Sequence, residues 1–381
     1  MIVTSDREMN LPPATAGDIA VINLESARQQ SWCRFWDAPL QPGIAEYIVE
    51  QEQLVVQFLG DFEGLDRLQT LSNQLARRDN ESSRTSLISA QVASITHRFA
   101  DARNHLAQAE VRGAPKDTTY RLSLTIDQAC GTNLDAVLDA RYRLAAESGR
   151  LEDLVPLAAL LADLHEFDEA ESIYHRALRE YQDVSPFAIA WVCFQLGVLW
   201  GELVAEPQSI RAAQWYRRAI EYLPCYLKAR VHLAEIYLSC DQTDEAEALL
   251  VPVLSSGDPE AQWRLADVMN ASGRTADVNA LMRSARAGFD LLLEKYLLAF
   301  ADHGAEFYFG SGNEVRRALE LARVNLANRP TLRAFELAYA ITVGAGEQCA
   351  ASGILENAVK RWGGTAAFAQ SSMHRRQGVT V

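Results

Sequence analysis

The most restrictive feature of the sequence is the segment 151–183, which reads as two short amphipathic helices joined by a turn. Its first half carries leucines at three- and four-residue steps, which places them on one helix face: Leu154, Leu157, Leu160, Leu161 and Leu164. A break follows at His165–Glu166. The second half presents another apolar face, made of Ala170, Tyr174, Ala177 and Leu178. Because a single hairpin cannot bury its own apolar surface, we expect the hairpin to recur along the chain.

The hairpin recurs at a spacing of 34 residues. Small or apolar residues occupy the position of Ala170 in the three preceding units, namely Ala136, Ala102 and Leu68. The positions four and seven residues farther along hold Tyr174, Ala140, Leu106 and Ser72, then Ala177, Arg143, Ala109 and Leu75. This register predicts four contiguous hairpins, over 49–82, 83–116, 117–150 and 151–184.

The pattern continues after Pro186 with small insertions, and it is restored near Ala318 after an interruption. We therefore predict about nine helical hairpins in one continuous superhelix. The predicted segments are a flexible N-terminal tail over 1–18, an N-terminal capping helical segment over 19–48, regular repeats over 49–184, repeats with insertions over 185–285, an irregular helical segment over 286–317, C-terminal repeats over 318–362 and a C-terminal tail over 363–381.

A helix–turn–helix unit of this length resembles the tetratricopeptide repeat. The residues that carry the resemblance are Leu196, Gly197, Trp200, Ala212, Tyr216, Ala219 and Pro224, together with Ala170, Tyr174 and Ala177. The resemblance covers about 49–362, and the stretch ALELARVNLANRPTLRAFELAYA is similar to the closing repeats of bacterial proteins of this family. It implies an all-α fold, a right-handed α-solenoid whose concave groove holds other proteins.

Composition narrows the classes of partner. The chain has a formal net charge of −14 and a pI near 5.0, which disfavours nucleic acid and anionic membrane surfaces as ligands. No apolar run approaches the length of a membrane helix, and the N-terminus lacks a signal-peptide pattern, so we expect a cytoplasmic protein. The six cysteines form no C-x-x-C pair, which favours reduced structural thiols.

Signatures of enzymes and metal sites are incomplete in this sequence. His165-Glu166 begins like the zinc motif H-E-x-x-H, but position 169 is glutamate. Glycines at 310–312 and 344–346 complete no nucleotide-binding motif, and we expect them to end helices. We therefore predict no catalytic residue, cofactor or metal. An enzymatic role stays open as an alternative, and it requires that residues of the irregular segment converge, namely His303, Glu306, Tyr308 and Glu314.

The first helix of each hairpin is expected to line the concave groove. In the early units the inward positions are polar and glutamine-rich: Glu50, Gln53, Gln57, Arg84, Gln91, Arg121, Thr125 and Gln128. In the later units they combine aromatic and charged side chains, and these residues form the predicted partner site: Trp191, Phe194, Lys228, Glu235, Trp263, Asp267, Asn270, Phe335 and Tyr339. Exposed aromatics are typical anchors for a partner segment, although they could instead pack under neighbouring repeats.

The lining favours one kind of partner over another. Binding of a chaperone carboxylate requires several cations on adjacent first helices, whereas Arg84, Arg121 and Lys228 are scattered. An acidic wall with aromatics suits a basic or apolar-basic peptide or helix. The sequence thus predicts a non-enzymatic scaffold or adaptor that binds a protein or peptide segment. A peptide-responsive regulator, an accessory factor of an enzyme and a hydrolase of unrecognised type are the alternatives.

Overall fold

The computed structural model of the protein describes residues 11–377, and every regular element within that range is helical. The helices are α1 (Gly17–Asp37), α2 (Ile44–Leu54), α3 (Glu63–Arg78), α4 (Ser83–Ile95), α5 (Phe99–Val111), α6 (Lys116–Ala129), α7 (Leu134–Ser148), α8 (Leu151–Asp163), α9 (Phe167–Glu180), α10 (Pro186–Val198), α11 (Ser209–Tyr222), α12 (Leu227–Ser239), α13 (Thr243–Leu250), α14 (Pro259–Ala271), α15 (Thr275–Phe309), α16 (Val315–Asn328), α17 (Leu332–Gly344), α18 (Gln348–Trp362), α19 (Ala366–Gln370) and α20 (Ser372–Gln377). Short π-helical turns extend α2 (Val55–Leu59) and α10 (Leu199–Leu203), and a 3₁₀ turn (Val251–Val253) follows α13.

These helices pair into nine successive hairpins within residues 44–362. The first is α2 with α3, and the pairs continue in chain order to α17 with α18, so that the protein is an all-α helical solenoid, as the sequence predicted. Helix α1 precedes the first hairpin and packs against α2 and against α10. The apolar faces of neighbouring hairpins bury one another in a series of core clusters along the solenoid.

The stretch 286–317 is part of the repeat pattern rather than an interruption. Helix α15 serves as the second helix of the seventh hairpin and, without a connecting loop, as the first helix of the eighth. Its backbone changes direction at Tyr296, where φ is −135° and ψ is 49°. The missing turn explains why the sequence pattern looked irregular there.

The 34-residue register slips by one residue in the third hairpin. Its turn, 130–133, is one residue longer than the turns 96–98 and 164–166 of the neighbouring hairpins. Val137 and Leu144 are therefore buried where the spacing predicted Ala136 and Arg143, and both of those predicted residues are exposed.

Close helix contact within the fifth hairpin depends on Gly197. A Cβ at this position would lie only 2.4 Å from Cε1 of Tyr216, so any larger residue would push α10 and α11 apart. Tyr216 is almost completely buried, and its counterpart in the fourth hairpin, Tyr174, is buried as well. The pairing of a small residue with a tyrosine thus sets the distance between the helices.

The solenoid closes on itself, because turns of its first half contact helices of its second half. The ring of Phe62 packs edge-on against Phe300 with centroids 4.9 Å apart. The side-chain amide of Asn328 donates to the carbonyl oxygen of His97 at 3.0 Å, and Arg361 donates to the carbonyl oxygen of Gly131 at 2.8 Å. We call this set of contacts the seam.

One stretch, Pro186–Leu203, has the length and composition of a membrane-spanning helix, contrary to the sequence analysis. It comprises α10 and the π turn that follows. The structure buries 67% of this stretch, and Ile189, Val192 and Leu196 belong to the same core cluster as Tyr174 and Tyr216. The stretch therefore packs as a core helix of the solenoid.

Candidate partner-binding surface

Several predicted groove aromatics are buried between repeats. Phe194, Trp263 and Phe335 expose only 6%, 4% and 5% of their surface, and Trp191 and Tyr339 are half-buried. The expectation that these rings project into a groove does not hold for the three buried ones. They lie on first helices as expected, but side chains of their own and neighbouring repeats cover them.

The contacts of these rings show what covers them. Phe194 packs against Tyr216, Tyr226 and His232, with centroids 5.2–5.6 Å apart. Trp263 meets Phe307 at 5.4 Å, and Phe307 belongs to the far half of α15. Phe335 joins a C-terminal cluster with Trp362 and Phe368. These three aromatic side chains therefore hold neighbouring repeats together in the core and are not available as anchors for a partner.

The charged residues of the predicted site have a different placement. Lys228 and Glu235 lie on α12 and belong to a group of charged side chains contributed by the fourth to ninth hairpins. Asp267 lies at the edge of this group, and Asn270 is exposed at the end of α14. We call the group the charged inner face, and its members are Asp163, Glu202, Lys228, His232, Glu235, Asp258, Glu260, Arg264, Asp267, Asp302, His303, Glu306, Arg329 and Arg333.

Electrostatic interactions connect these residues across the repeats. Burial would lower the pKa of Lys228, but the charges of Glu260, Asp258, Asp302 and Glu306 outweigh that effect and raise it. The face is accessible to water, because Asp163, Glu306 and Arg333 are exposed although they lie among the other members.

Glu202 joins the fifth, sixth and ninth hairpins. Its Oε1 lies 2.7 Å from Nδ1 of His232 and accepts a hydrogen bond from the hydroxyl of Tyr216 at 3.0 Å, while its Oε2 lies 3.3 Å from Nη2 of Arg333. Burial alone would raise the pKa of Glu202, but His232 and Arg333 outweigh it and bring the pKa to about 2. Both carboxylate oxygens of Glu202 therefore have partners, and Glu202 links three hairpins on the charged inner face.

Other carboxyl groups on this face lack such compensation. Burial raises the pKa of Glu235, although Arg264 and His232 act in the opposite direction. Burial likewise raises the pKa of Asp267, which is half-buried. The neighbouring cations are thus too few to stabilise every negative charge.

A cavity of about 270 Å³ opens between the first helices of the sixth and seventh hairpins. Its lining combines an apolar base with a polar rim, and it comprises Ala234, Glu235, Leu238, Ser239, Arg264, Asp267 and Val268. Two predicted site residues, Glu235 and Asp267, therefore come together here. A larger cleft of about 630 Å³ lies at the seam, where Lys295 and Asp66 form an ion pair at its edge.

The residues proposed for an enzyme site do not converge. His303 and Glu306 belong to the charged inner face, whereas Tyr308 is buried with its hydroxyl bonded to Asp290, and Glu314 pairs with Arg286. No group of three or more histidine, cysteine, aspartate or glutamate side chains within the described range is arranged to hold a metal ion.

Sequence reasoning missed most of the charged inner face, although part of it was readable. Lys228, His232 and Glu235 follow one another at helical spacing on α12, and Glu260, Arg264 and Asp267 do the same on α14. Each set therefore marks a charged stripe on a first helix. Glu202 could not be found this way, because it lies in a π-helical turn that changes the direction of side chains.

Comparison with known proteins gives structural likeness only. Neither a protein-family model nor a curated protein matches the sequence. The Cut9–Hcn1 hetero-tetramer of the APC/C is similar, with 14% identity and a TM-score of 0.47 over 70% of this chain and 50% of that chain, so the match spans half of its length. The apo quorum sensor NprR from B. thuringiensis has 14% identity and a TM-score of 0.42 over 85% of this chain and 95% of that chain. A tetratricopeptide repeat protein from Parabacteroides merdae has 16% identity and a TM-score of 0.37 over 68% of this chain and 98% of that chain.

The type of fold follows from the arrangement of the helices. Hairpins of two helices follow one another along residues 44–362, and Gly197 lets Tyr216 approach the first helix at the positions that carry the resemblance. The part of the chain that the structure describes is therefore an all-α solenoid of helical hairpins, and the small residue and the tyrosine predicted to meet in the fifth hairpin do so.

Proposed function

We propose that the protein is a non-enzymatic scaffold or adaptor whose charged inner face holds a basic or apolar-basic segment of a protein partner. The observation that carries this proposal is the imbalance of charge on that face. Its carboxylates are Asp163, Glu202, Glu235, Asp258, Glu260, Asp267, Asp302 and Glu306, and its permanent cations are Lys228, Arg264, Arg329 and Arg333. A cationic segment would compensate the excess of negative charge.

The raised pKa values of carboxyl groups on the inner face favour a cationic ligand. Two half-buried carboxyl groups on this face, Glu235 and Asp267, have pKa values that burial raises. A partner's ammonium or guanidinium group near them would stabilise their ionised form and release the protons they hold at lower pH. Binding should therefore tighten as pH rises and weaken with added salt, since salt screens the attraction.

A cytoplasmic location belongs to the proposal. It is supported by the cysteines, all of which are free and two of which, Cys130 and Cys193, are buried in the core. Free buried thiols suit a reducing compartment.

The proposal is tested by reversing one exposed charge on the inner face. The ligand is an acetylated, fluorescein-labelled peptide of alternating leucine and lysine residues, and binding is followed by fluorescence anisotropy. Glu306→Lys should weaken binding by about threefold to tenfold, as expected for the loss and reversal of one partly screened charge. Glu356→Lys is the matched control, because Glu356 is exposed on α18 and the substitution changes net charge by the same amount. Equal affinities for the two variants would contradict the proposal.

A further inference from the structure

We infer that the cavity between α12 and α14 is a recognition pocket for a single lysine side chain of the partner segment. The inference rests on the proposed function, because it assumes that a basic segment lies along the inner face. It adds which side chain is recognised and by which residues. The cavity is defined by the seven lining residues given above and has a volume of about 270 Å³.

The base of the cavity is suited to an aliphatic chain. Ala234 and Val268 are buried, and Leu238 is half-buried beside them. These three side chains come from α12 and α14 and present only carbon atoms. Lysine carries four methylene groups below its ammonium group, and such stems pack favourably on apolar surface while the charged end stays near polar groups.

The rim provides carboxylate oxygens that the protein itself leaves partly unpaired. Oε1 of Glu235 contacts Nη2 of Arg264 at 2.5 Å, but its Oε2 is 3.8 Å from Nδ1 of His232. Oδ1 of Asp267 accepts a hydrogen bond from Ser311 at 2.7 Å, whereas its Oδ2 is 4.0 Å from Arg264. Among the described residues, no side-chain hydrogen bond ends on Oε2 of Glu235 or on Oδ2 of Asp267, so each carboxylate has an oxygen that can accept from a ligand.

Arg264 cannot satisfy this rim alone. Its guanidinium lies 3.6 Å above the centre of the Trp263 ring, and Glu260 lies 3.6 Å from it on the same helix. One guanidinium therefore faces three carboxylates, and its position over the tryptophan keeps it to one side. Burial raises the pKa of Glu235 and of Asp267, which agrees with negative charge that lacks full compensation.

The number of N–H donors on a lysine ammonium group equals the number of acceptor oxygens that remain at the rim of the cavity. It has three N–H donors, and Oε2 of Glu235 and Oδ2 of Asp267 can accept two of them. The hydroxyl oxygen of Ser239 can accept the third, since this hydroxyl donates its own hydrogen to the carbonyl oxygen of Ile236 at 2.7 Å. The same site would not reward a short cationic side chain, because its charge could not reach the rim while its stem covered the base.

The lysine pocket can be tested with peptides whose cationic side chains differ in length. Two labelled peptides are compared at a pH of about 6.5, where both kinds of side-chain amine are protonated: the leucine–lysine peptide described above and a version in which diaminobutyric acid, with two methylenes, replaces lysine. Wild-type protein should bind the lysine peptide about tenfold more tightly, because only the longer side chain brings its ammonium group to the rim carboxylates while its stem covers the apolar base. The double variant Glu235→Gln with Asp267→Asn should lose this preference. Its melting curve, followed by circular dichroism, reports whether the fold is kept.

The outcomes separate the pocket from the proposed function. If wild type binds both peptides equally and only in low salt, the basic-segment proposal stands and the lysine pocket is refuted. If neither peptide binds, the proposed function itself fails. If the folded double variant keeps the lysine preference, the pocket lies elsewhere and the assignment of Glu235 and Asp267 is wrong. Glu356→Lys should leave the preference unchanged.

Discussion

Gly197 lies where two helices of the fifth hairpin come closest. Replacement by alanine would place a Cβ 2.4 Å from Tyr216, and this ring is almost fully buried and cannot move aside. We expect Gly197→Ala to lower the free energy of unfolding by about 1–3 kcal/mol, measured by chemical denaturation. Gly353 is the matched control, because it lies in α18 with no heavy atom within 4 Å of the added Cβ. Gly353→Ala should instead stabilise by about 0.5–1 kcal/mol. Equal effects would refute the close contact.

Ala170 tests the register at which second helices pack. It is fully buried in α9, so Ala170→Leu should overpack the interface and cost about 1–3 kcal/mol. The corresponding alanine by strict 34-residue counting, Ala136, is exposed in α7, and Ala136→Leu should change stability by less than about 0.5 kcal/mol. Thermal melting of both variants measures the difference. A large loss for Ala136→Leu would mean that the third hairpin does not slip.

The pair Glu202–His232 makes stability depend on pH. Burial would lower the pKa of His232, but Glu202 outweighs it and raises the pKa above 6.5, whereas the pKa of Glu202 falls from 4.5 to about 2. The histidine's contribution is full below pH 6.5 and is lost as pH rises through its raised pKa; the glutamate's is full above pH 4.5 and is lost as pH falls towards 2. Tyr216, Glu235, Glu260 and Arg333 also face this pair.

This dependence can be measured with His232→Gln. The wild type should lose melting temperature, relative to the variant, as pH rises from 6.5 through the alkaline side of neutrality. The difference between the two proteins should be largest between pH 4.5 and 6.5, where both partners are charged. A difference that does not change with pH would contradict the ionic pairing.

At the scale of helices, the hairpin pattern could be predicted because its signals are local. The apolar faces of α8 and α9 and the turn between them depend on residues within one unit, and Ala170, Tyr174 and Ala177 are buried as predicted. The slip in the third hairpin depends on one extra turn residue in 130–133, which shifts every later position of that unit. Counting at a fixed period cannot detect such a shift.

Periodicity could not predict whether the aromatic side chains of the first helices are buried or exposed. Trp263 is buried because Phe289 and Phe307 pack against it, and both lie on α15. Phe289 lies before the change of direction at Tyr296 and Phe307 lies after it, so both halves of α15 cover the ring of Trp263. Residues far apart in sequence therefore decide which side of a first helix meets water, and the charged inner face emerged only with the complete fold.

At the scale of the whole molecule, the seam determines how compact the solenoid is. Phe62, from the first hairpin, packs on Phe300 in α15, and Tyr296 of the same helix donates to Asp66 at 2.7 Å. We expect Phe62→Ala to cost about 2–4 kcal/mol and to increase the radius of gyration measured by small-angle X-ray scattering. Exposed Val111→Ala is the control and should change neither quantity. An unchanged radius together with unchanged stability would show that the seam does not hold the superhelix closed.

The partner class is the central claim, and charge reversal of the ligand tests it most directly. Isothermal titration calorimetry of the wild-type protein should detect binding of the leucine–lysine peptide at low salt, with affinity that falls as salt is added. A peptide of alternating leucine and glutamate has the same apolar content and should not bind measurably. Tighter binding of the glutamate peptide, or equal binding of both at every salt concentration, would contradict the assignment of the inner face as a site for basic segments.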